Sequence, residues 1–179
     1  GGAIICHDAK TKRHIDHLKN FGFVDETTVV ATGINGKLNE LQAAFGLLNL
    51  KHLNDSLTAR ERIDLAYRKG LNSLRGILCP APPEGTQNYA YFPILVGPDY
   101  PISRDALFQL LADQGIHGRR YFFPLISDFP MYRHLPSAKA DRLPIARRLA
   151  DQVICLPIYP QLATADVQRV INIIAAAGR

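Results

Sequence analysis

The stretch that most constrains this chain is Gly33–Leu50, GINGKLNELQAAFGLLNL, where a glycine-rich loop turns into a helix of small and apolar residues. Leu38, Leu41, Phe45 and Leu48 recur at spacings of three and four, so they share one helical face. Ala43, Ala44 and Gly46 keep much of the remaining surface slim enough for another helix to approach closely. Ahead of the helix, Gly33 and Gly36 flank Asn35 and free the backbone to turn, leaving an amide at the helix entrance. A helix N-terminus fronted by glycines and a polar amide suits an anion such as a phosphate group. On local physics alone, the same residues serve more often as plain turn chemistry, with Asn35 bonding its own loop.

Along the rest of the chain, strands and helices alternate. Ala3–Cys6 is expected as a short strand, Asp8–Asn20 as a helix with a charged outer face, and 21–36 as a loop. Two helices follow over Leu38–Leu53 and Ser56–Leu74, the second with Ile63, Tyr67, Leu71 and Leu74 on one stripe. Pro80–Gly85 (PAPPEG) breaks the pattern and marks the best internal boundary. Tyr89–Val96 is a strand candidate whose Pro93 argues for an edge or a bulge. Ser103 is a good N-cap for a helix over Arg104–Gln114, with Gly115 as its stop. Ile116–Tyr121 is read as a strand, Arg142–Ala150 as a helix and Val153–Leu156 as a strand. Thr164 caps a final helix that turns Val167, Val170, Ile171 and Ile174 inward. The order gives an α/β or α+β unit with about three strands.

Composition narrows the function classes. No apolar run approaches bilayer-spanning length, which argues against a membrane protein. Lys and Arg outnumber Asp and Glu by 21 to 16, yet the charges are spread out without an arginine-rich arm, so nucleic acid is not expected as a partner. A basic surface also suits anionic small molecules. Cys6, Cys79 and Cys155 are odd in number and lack metal-ligand spacing, the pattern of free thiols in a reducing cytoplasm. His14 and His17 form an i, i+3 pair, but no carboxylate or cysteine joins them, so a solvated helix face is expected and no metal.

Several motifs stand in a fixed order: Gly1-Gly2-Ala3-Ile4-Ile5, Asn20-Phe21-Gly22-Phe23, Gly33–Glu40 with Gln42-Ala43-Ala44, Arg60–Tyr67 (RERIDLAY), Arg119–Leu125 (RRYFFPL) and Ile154–Pro160 (ICLPIYP). Together they resemble the DegT/DnrJ/EryC1/StrS family of pyridoxal-phosphate sugar aminotransferases, from the first residue to nearly the last. The resemblance implies the C-terminal portion of a fold-type-I transferase. Residues 1–55 would complete the large cofactor-binding domain, 56–75 would be a connecting helix, and 76–179 a small C-terminal domain. Gly-Gly-Ala-Ile-Ile opens as a strand without Met, cap or turn, so the chain is expected to belong to a longer polypeptide. In the family the glycine pair follows shortly after the lysine that carries the cofactor. No catalytic residue is therefore assigned within these residues, and the 179-residue chain alone is not expected to catalyse anything.

The site residues come from the same resemblance. Asn35 matches the asparagine that reaches across a homodimer to the phosphate of pyridoxal 5'-phosphate on the neighbouring subunit, and its amide can donate where a carboxylate could not. Lys37 stands where relatives often carry arginine, which favours a single charge contact with substrate over a bidentate clamp. Adjacent side chains on an extended segment point oppositely, so only one of Arg119 and Arg120 can face a cleft. Arg120 is assigned to the sugar-nucleotide diphosphate and Tyr121 to hydrogen bonding or stacking near the substrate. Each has a plainer reading: a loop-bonding Asn35, an exposed Lys37, a surface Arg120, a core Tyr121. Many relatives carry histidine where this chain has Ile126, which leaves the substrate contacts open.

The RRYFFPL string is similar to that of enzymes acting on dTDP-4-amino-4,6-dideoxyglucose or its 3-keto relatives. The implied activity moves an amino group, typically from glutamate, to a keto-6-deoxyhexose on dTDP, for surface polysaccharide or deoxyaminosugar synthesis. Two alternatives stand beside it: a dehydratase of the same family whose lysine is replaced by histidine, and a non-catalytic dimerisation module.

Overall fold

The computed structural model describes all residues from Gly1 to Arg179. The chain divides into two compact units, Gly1–Leu53 and Asn54–Arg179.

The first unit is held by polar contacts. Helix α1 (Ala9–Leu18) starts where Asp8 accepts from the Thr11 amide at 2.8 Å, and Asp16 pairs with Lys12 and Lys19 on its outer face. Two hydrogen bonds from Asp16's lysine partners hold its carboxyl down at about 2. Helix α2 (Glu40–Lys51) starts at Asn39, whose Oδ1 accepts from Gln42 N–H at 2.8 Å. Leu41, Phe45 and Leu48 share one side of α2, but Leu38 lies ahead of the helix, Leu47 and Leu50 make its other sides apolar too, and none of them is buried: Leu41 is 80% and Phe45 68% exposed. Gly22 is the single buried residue of this unit, so the unit has no apolar core of its own. The expected strand at Ala3–Cys6 is not formed. A strand needs a hydrogen-bonding neighbour, and Ile4 and Ile5 lie exposed without one.

The second unit has the core. A three-stranded antiparallel sheet runs in the order β1 (Ile77–Leu78), β2 (Phe92–Val96), β3 (Val153–Leu156). Period-two alternation turns Phe92, Ile94 and Val96 to one face, where they meet Ile63, Tyr67 and Leu71 of α3 (Leu53–Leu71). Leu107 and Leu111 of α4 (Arg104–Asp113) join the same cluster, as do Val167, Val170, Ile171 and Ile174 of α6 (Thr164–Ala177). Helix α5 (Pro144–Gln152) packs on β2 from the face that carries Pro93 and Leu95. Gly70 lets α3 and α6 meet closely, since a Cβ there would lie 2.7 Å from Ile171.

Four expectations need correction. Pro93 sits in the central strand, not at an edge: β1 pairs only with Val96 and Leu95, so the sheet is open on that side at Pro93 and no ladder bond is lost. Residues 116–121 form no strand beyond one bridge, Arg119 to Cys155. Thr164 begins α6 rather than capping it, and Ala163 at the cap has no side chain that could bond. Residues 80–85 connect β1 to β2 inside the second unit, because α3 before them and β2 after them share one core. No helix is long and apolar enough to cross a membrane.

Candidate functional site

The candidate residues fall into two groups, Asn35 and Lys37 in the first unit and Arg120 and Tyr121 in the second.

Around Asn35 the loop is built against the C-terminal end of α1. The Ile34 and Gly36 amides donate to the carbonyls of Leu18 and Lys19, both at 2.8 Å, groups that the helix end would otherwise leave unpaired. Phe21 N–H donates in return to Ile34 O at 3.0 Å. Gly33 is required by this close approach, since a Cβ would lie 2.4 Å from Gly22 N and from Leu18 O. Gly22 is required too, with φ +86° and Ala31 O where a Cβ would stand. The glycines thus serve backbone packing. They do not present amides to a ligand at a helix entrance, because α2 begins only at Glu40 with its own cap at Asn39.

What the loop does present is the side chain of Asn35. Its Oδ1 lies 3.5 Å from the Lys37 amide, at the limit of a hydrogen bond, and its Nδ2 has no acceptor within the chain. Both flanking residues are pinned, so the free donor stands on a fixed backbone. Lys37 Nζ donates to Asn20 Oδ1 at 2.9 Å and lies 4.7 Å above the Phe21 ring. A neutral amide donor and an ammonium carried by the same short loop suit a phosphate group: both can donate, and neither adds negative charge.

In the second unit, the Arg119 backbone is fixed by exchanging hydrogen bonds with Cys155, at 3.0 and 2.7 Å. Its side chain is exposed and unpaired, whereas Arg120 turns inward. Arg120 Nη1 donates to Asp105 Oδ1 at 2.9 Å, and the guanidinium lies 4.5 Å from the Phe108 ring centre and 5.4 Å from that of Phe123. Asp105 also accepts from Arg104 Nε at 2.8 Å. Burial works to raise its carboxyl, but the two arginines outweigh that and hold it below the usual carboxylate range. Tyr121 is 39% exposed, edge-on to Tyr91 at 5.3 Å and tilted against Phe122 at 5.0 Å, so it belongs to a surface aromatic cluster and not to the core. Sequence reasoning missed Asp105, Phe108, Phe123 and Tyr91 as neighbours of this segment. An acidic residue in the first turn of α4 has a local explanation, and nothing in its spacing points to Arg120.

No three His, Cys, Asp or Glu side chains gather as metal ligands. Cys79 and Cys155 are buried and unpaired, and burial pushes both thiols up.

The DegT/DnrJ/EryC1/StrS aminotransferase family model matches residues 1–175. The chain belongs to this family. Within the family it is 50% identical, over 97% of its length and 47% of the relative's, to a dTDP-4-amino-4,6-dideoxy-D-glucose transaminase of Escherichia coli. A transaminase of the same description from Shigella dysenteriae is 42% identical over the same shares. Among solved structures, DesV of S. venezuelae, in complex with a ketimine intermediate, superposes with a TM-score of 0.85 at 28% identity. That match covers 96% of this chain and 45% of DesV. The chain therefore spans about half the length of the curated relatives it matches, and over that half its fold is one also found in solved aminotransferase structures.

Proposed function

We propose that this chain forms part of a pyridoxal-phosphate-dependent aminotransferase that acts on a keto-6-deoxyhexose carried by dTDP. The single observation that carries this reading is the 50% identity to the E. coli transaminase, sustained over 97% of the chain. Glutamate is the proposed amino donor, and a homodimer with composite sites the proposed assembly. The proposed setting is cytoplasmic synthesis of surface polysaccharide or deoxyaminosugar, which the three unpaired thiols support.

Pyridoxal phosphate, once bound, supplies the electron sink that lets an amino group pass between an amino acid and a ketone. The residues of this chain bind and orient. Asn35, on a loop fixed at the end of α1, would hold the cofactor phosphate of the neighbouring subunit by donating from Nδ2. Lys37, directed by Asn20 and Phe21, would offer a single charge contact to the substrate. Arg120 offers Nε and Nη2, which no group in the chain occupies, to the diphosphate of the nucleotide sugar. Tyr121 presents a half-exposed ring and hydroxyl next to Tyr91 for stacking or hydrogen bonding with substrate. The apolar face of α2, with no buried residue, supports its use in covering a second copy.

The test is 2-oxoglutarate release. The whole protein with pyridoxal phosphate and glutamate forms 2-oxoglutarate in proportion to added dTDP-4-keto-6-deoxyglucose or its 3-keto isomer. Consumption of the sugar without 2-oxoglutarate assigns the dehydratase chemistry instead, and no turnover of either ketone refutes both.

A further inference from the structure

Asp105 joins two arginines of different standing. Ser103 fixes the start of α4 by accepting from the Ala106 amide at 3.2 Å, which places Arg104 and Asp105 in the first turn. Arg104 is only 5% exposed and is anchored to the fold. Its Nη1 donates to the carbonyls of Ala150 at 2.8 Å and Val153 at 3.2 Å, where α5 ends and β3 begins. One oxygen of Asp105 then accepts from Arg104 Nε and from Arg120 Nη1. The Phe123 ring is flanked by the same two guanidinium groups, 4.8 Å from Arg104 and 5.4 Å from Arg120. A buried, immobile arginine thus fixes a carboxylate, and the carboxylate fixes a second arginine whose side chain remains 35% exposed.

Arg120 spends one of its five N–H groups on this arrangement. Contact with Phe108 and Phe123 further restricts the guanidinium, so little rotamer freedom is left to lose when an anion binds. The cluster of Arg104, Asp105 and Arg120 keeps a net charge of +1. Asp105 therefore lowers the local field without cancelling it, and what it adds is orientation.

We propose that Asp105 is the positioning residue for Arg120, holding the guanidinium in place so that its Nε and Nη2 side stays open to the diphosphate of the nucleotide. The inference rests on the dTDP-sugar reading above.

The experiment is calorimetric titration of dTDP into the whole protein as wild type, Asp105→Ala and Asp105→Asn, with thermal melts of each. Asp105→Ala removes the acceptor and releases Arg120, and Kd for dTDP rises roughly tenfold, the scale of one charge-assisted hydrogen bond. Asp105→Asn keeps an oxygen that Arg120 can bond and removes the opposing charge, so it binds dTDP as tightly as wild type or more tightly. In turnover, KM for the sugar rises in Asp105→Ala while KM for the amino donor stays within about twofold. Unchanged or tighter dTDP binding by Asp105→Ala makes Asp105 a screening charge and overturns the inference. Equal weakening in both variants, or a rise in both KM values with a lower melting point, overturns it in favour of a structural role. A wild type that does not bind dTDP overturns the functional reading itself.

Discussion

Arg68→Met isolates the interaction that ties α3 to the segment between β1 and β2. Arg68 Nε donates to Asp64 Oδ2 at 2.6 Å and Nη2 to Oδ1 at 3.3 Å, while Nη1 reaches the Pro80 carbonyl at 2.7 Å. The guanidinium also lies 5.3 Å from the centre of the Phe92 ring. The side chains are 20% and 9% exposed, so the pair is buried enough that solvent screens it little. Methionine fills similar volume and keeps contact with Phe92, but it strands the Asp64 carboxylate and the Pro80 carbonyl. Breaking a buried pair from one side costs about 3 kcal/mol or somewhat more, since the surviving charge is uncompensated. Replacing both partners by apolar residues, as in Asp64→Leu with Arg68→Met, removes the stranded charge and leaves only the partly exposed Pro80 carbonyl without its donor, so it costs about 1 kcal/mol. Hydrogen exchange followed by mass spectrometry reads this within the second unit alone. Peptides from α3 and β2 should exchange roughly a hundredfold faster in Arg68→Met, and within about fivefold of wild type in the double variant. An increase below about threefold in the single variant would refute the claim that this pair clasps the unit.

Three further outcomes follow from other parts of the molecule. In the whole protein, Asn35→Ala weakens pyridoxal-phosphate binding roughly tenfold or more, and Asn35→Asp weakens it further by placing a carboxylate beside the phosphate; spectrophotometric titration reads both, and wild-type binding by the Asn35→Asp variant contradicts the assignment. Leu41→Lys with Phe45→Lys, on the uncovered surface of α2, leaves the whole protein monomeric in light scattering at micromolar protein if this surface makes the proposed homodimer, whereas a dimer that persists in the variant shows that this surface is not the interface. Burial holds the phenols of Tyr67 and Tyr100 protonated well above the ordinary value, Tyr100 to about 12. The folded state then binds more protons than the unfolded state above pH 10, so stability is full below that and falls as pH rises from about 10 towards 12. Absorbance at 295 nm from these two rings should appear together with loss of circular dichroism; their ionisation in a fully folded chain contradicts the burial argument.

The second unit was legible in the sequence because its residues solve their packing locally. Ile63, Tyr67 and Leu71 fall on one helical stripe, and Val167, Val170, Ile171 and Ile174 on another, and these are buried where periodicity placed them, whereas Leu74, expected on the first stripe, lies beyond the end of α3 and is only partly buried. Val153–Leu156 is a strand with the expected bounds because it is buried over its whole length. The first unit was legible in its helices but not in its edges. Ala3–Cys6 has strand composition, yet strand formation depends on a neighbour that composition does not supply. The glycines of the Asn35 loop read equally well as an anion cradle or as close packing, and only the carbonyls of Leu18 and Lys19 decide between them. Arg120 was visible from its motif, whereas the carboxylate that holds it lies 15 residues away on another element and has no periodic relation to it.

The proposed activity is the transfer of nitrogen to a nucleotide sugar. The most direct measurement incubates the whole protein with pyridoxal phosphate, 15N-glutamate and dTDP-4-keto-6-deoxyglucose or its 3-keto isomer, and follows the sugar nucleotide by mass spectrometry and NMR. The expected product carries one 15N atom bonded to a single sugar carbon, with 2-oxoglutarate formed in equal amount. A sugar nucleotide that remains unlabelled, or that loses water without gaining nitrogen, contradicts it.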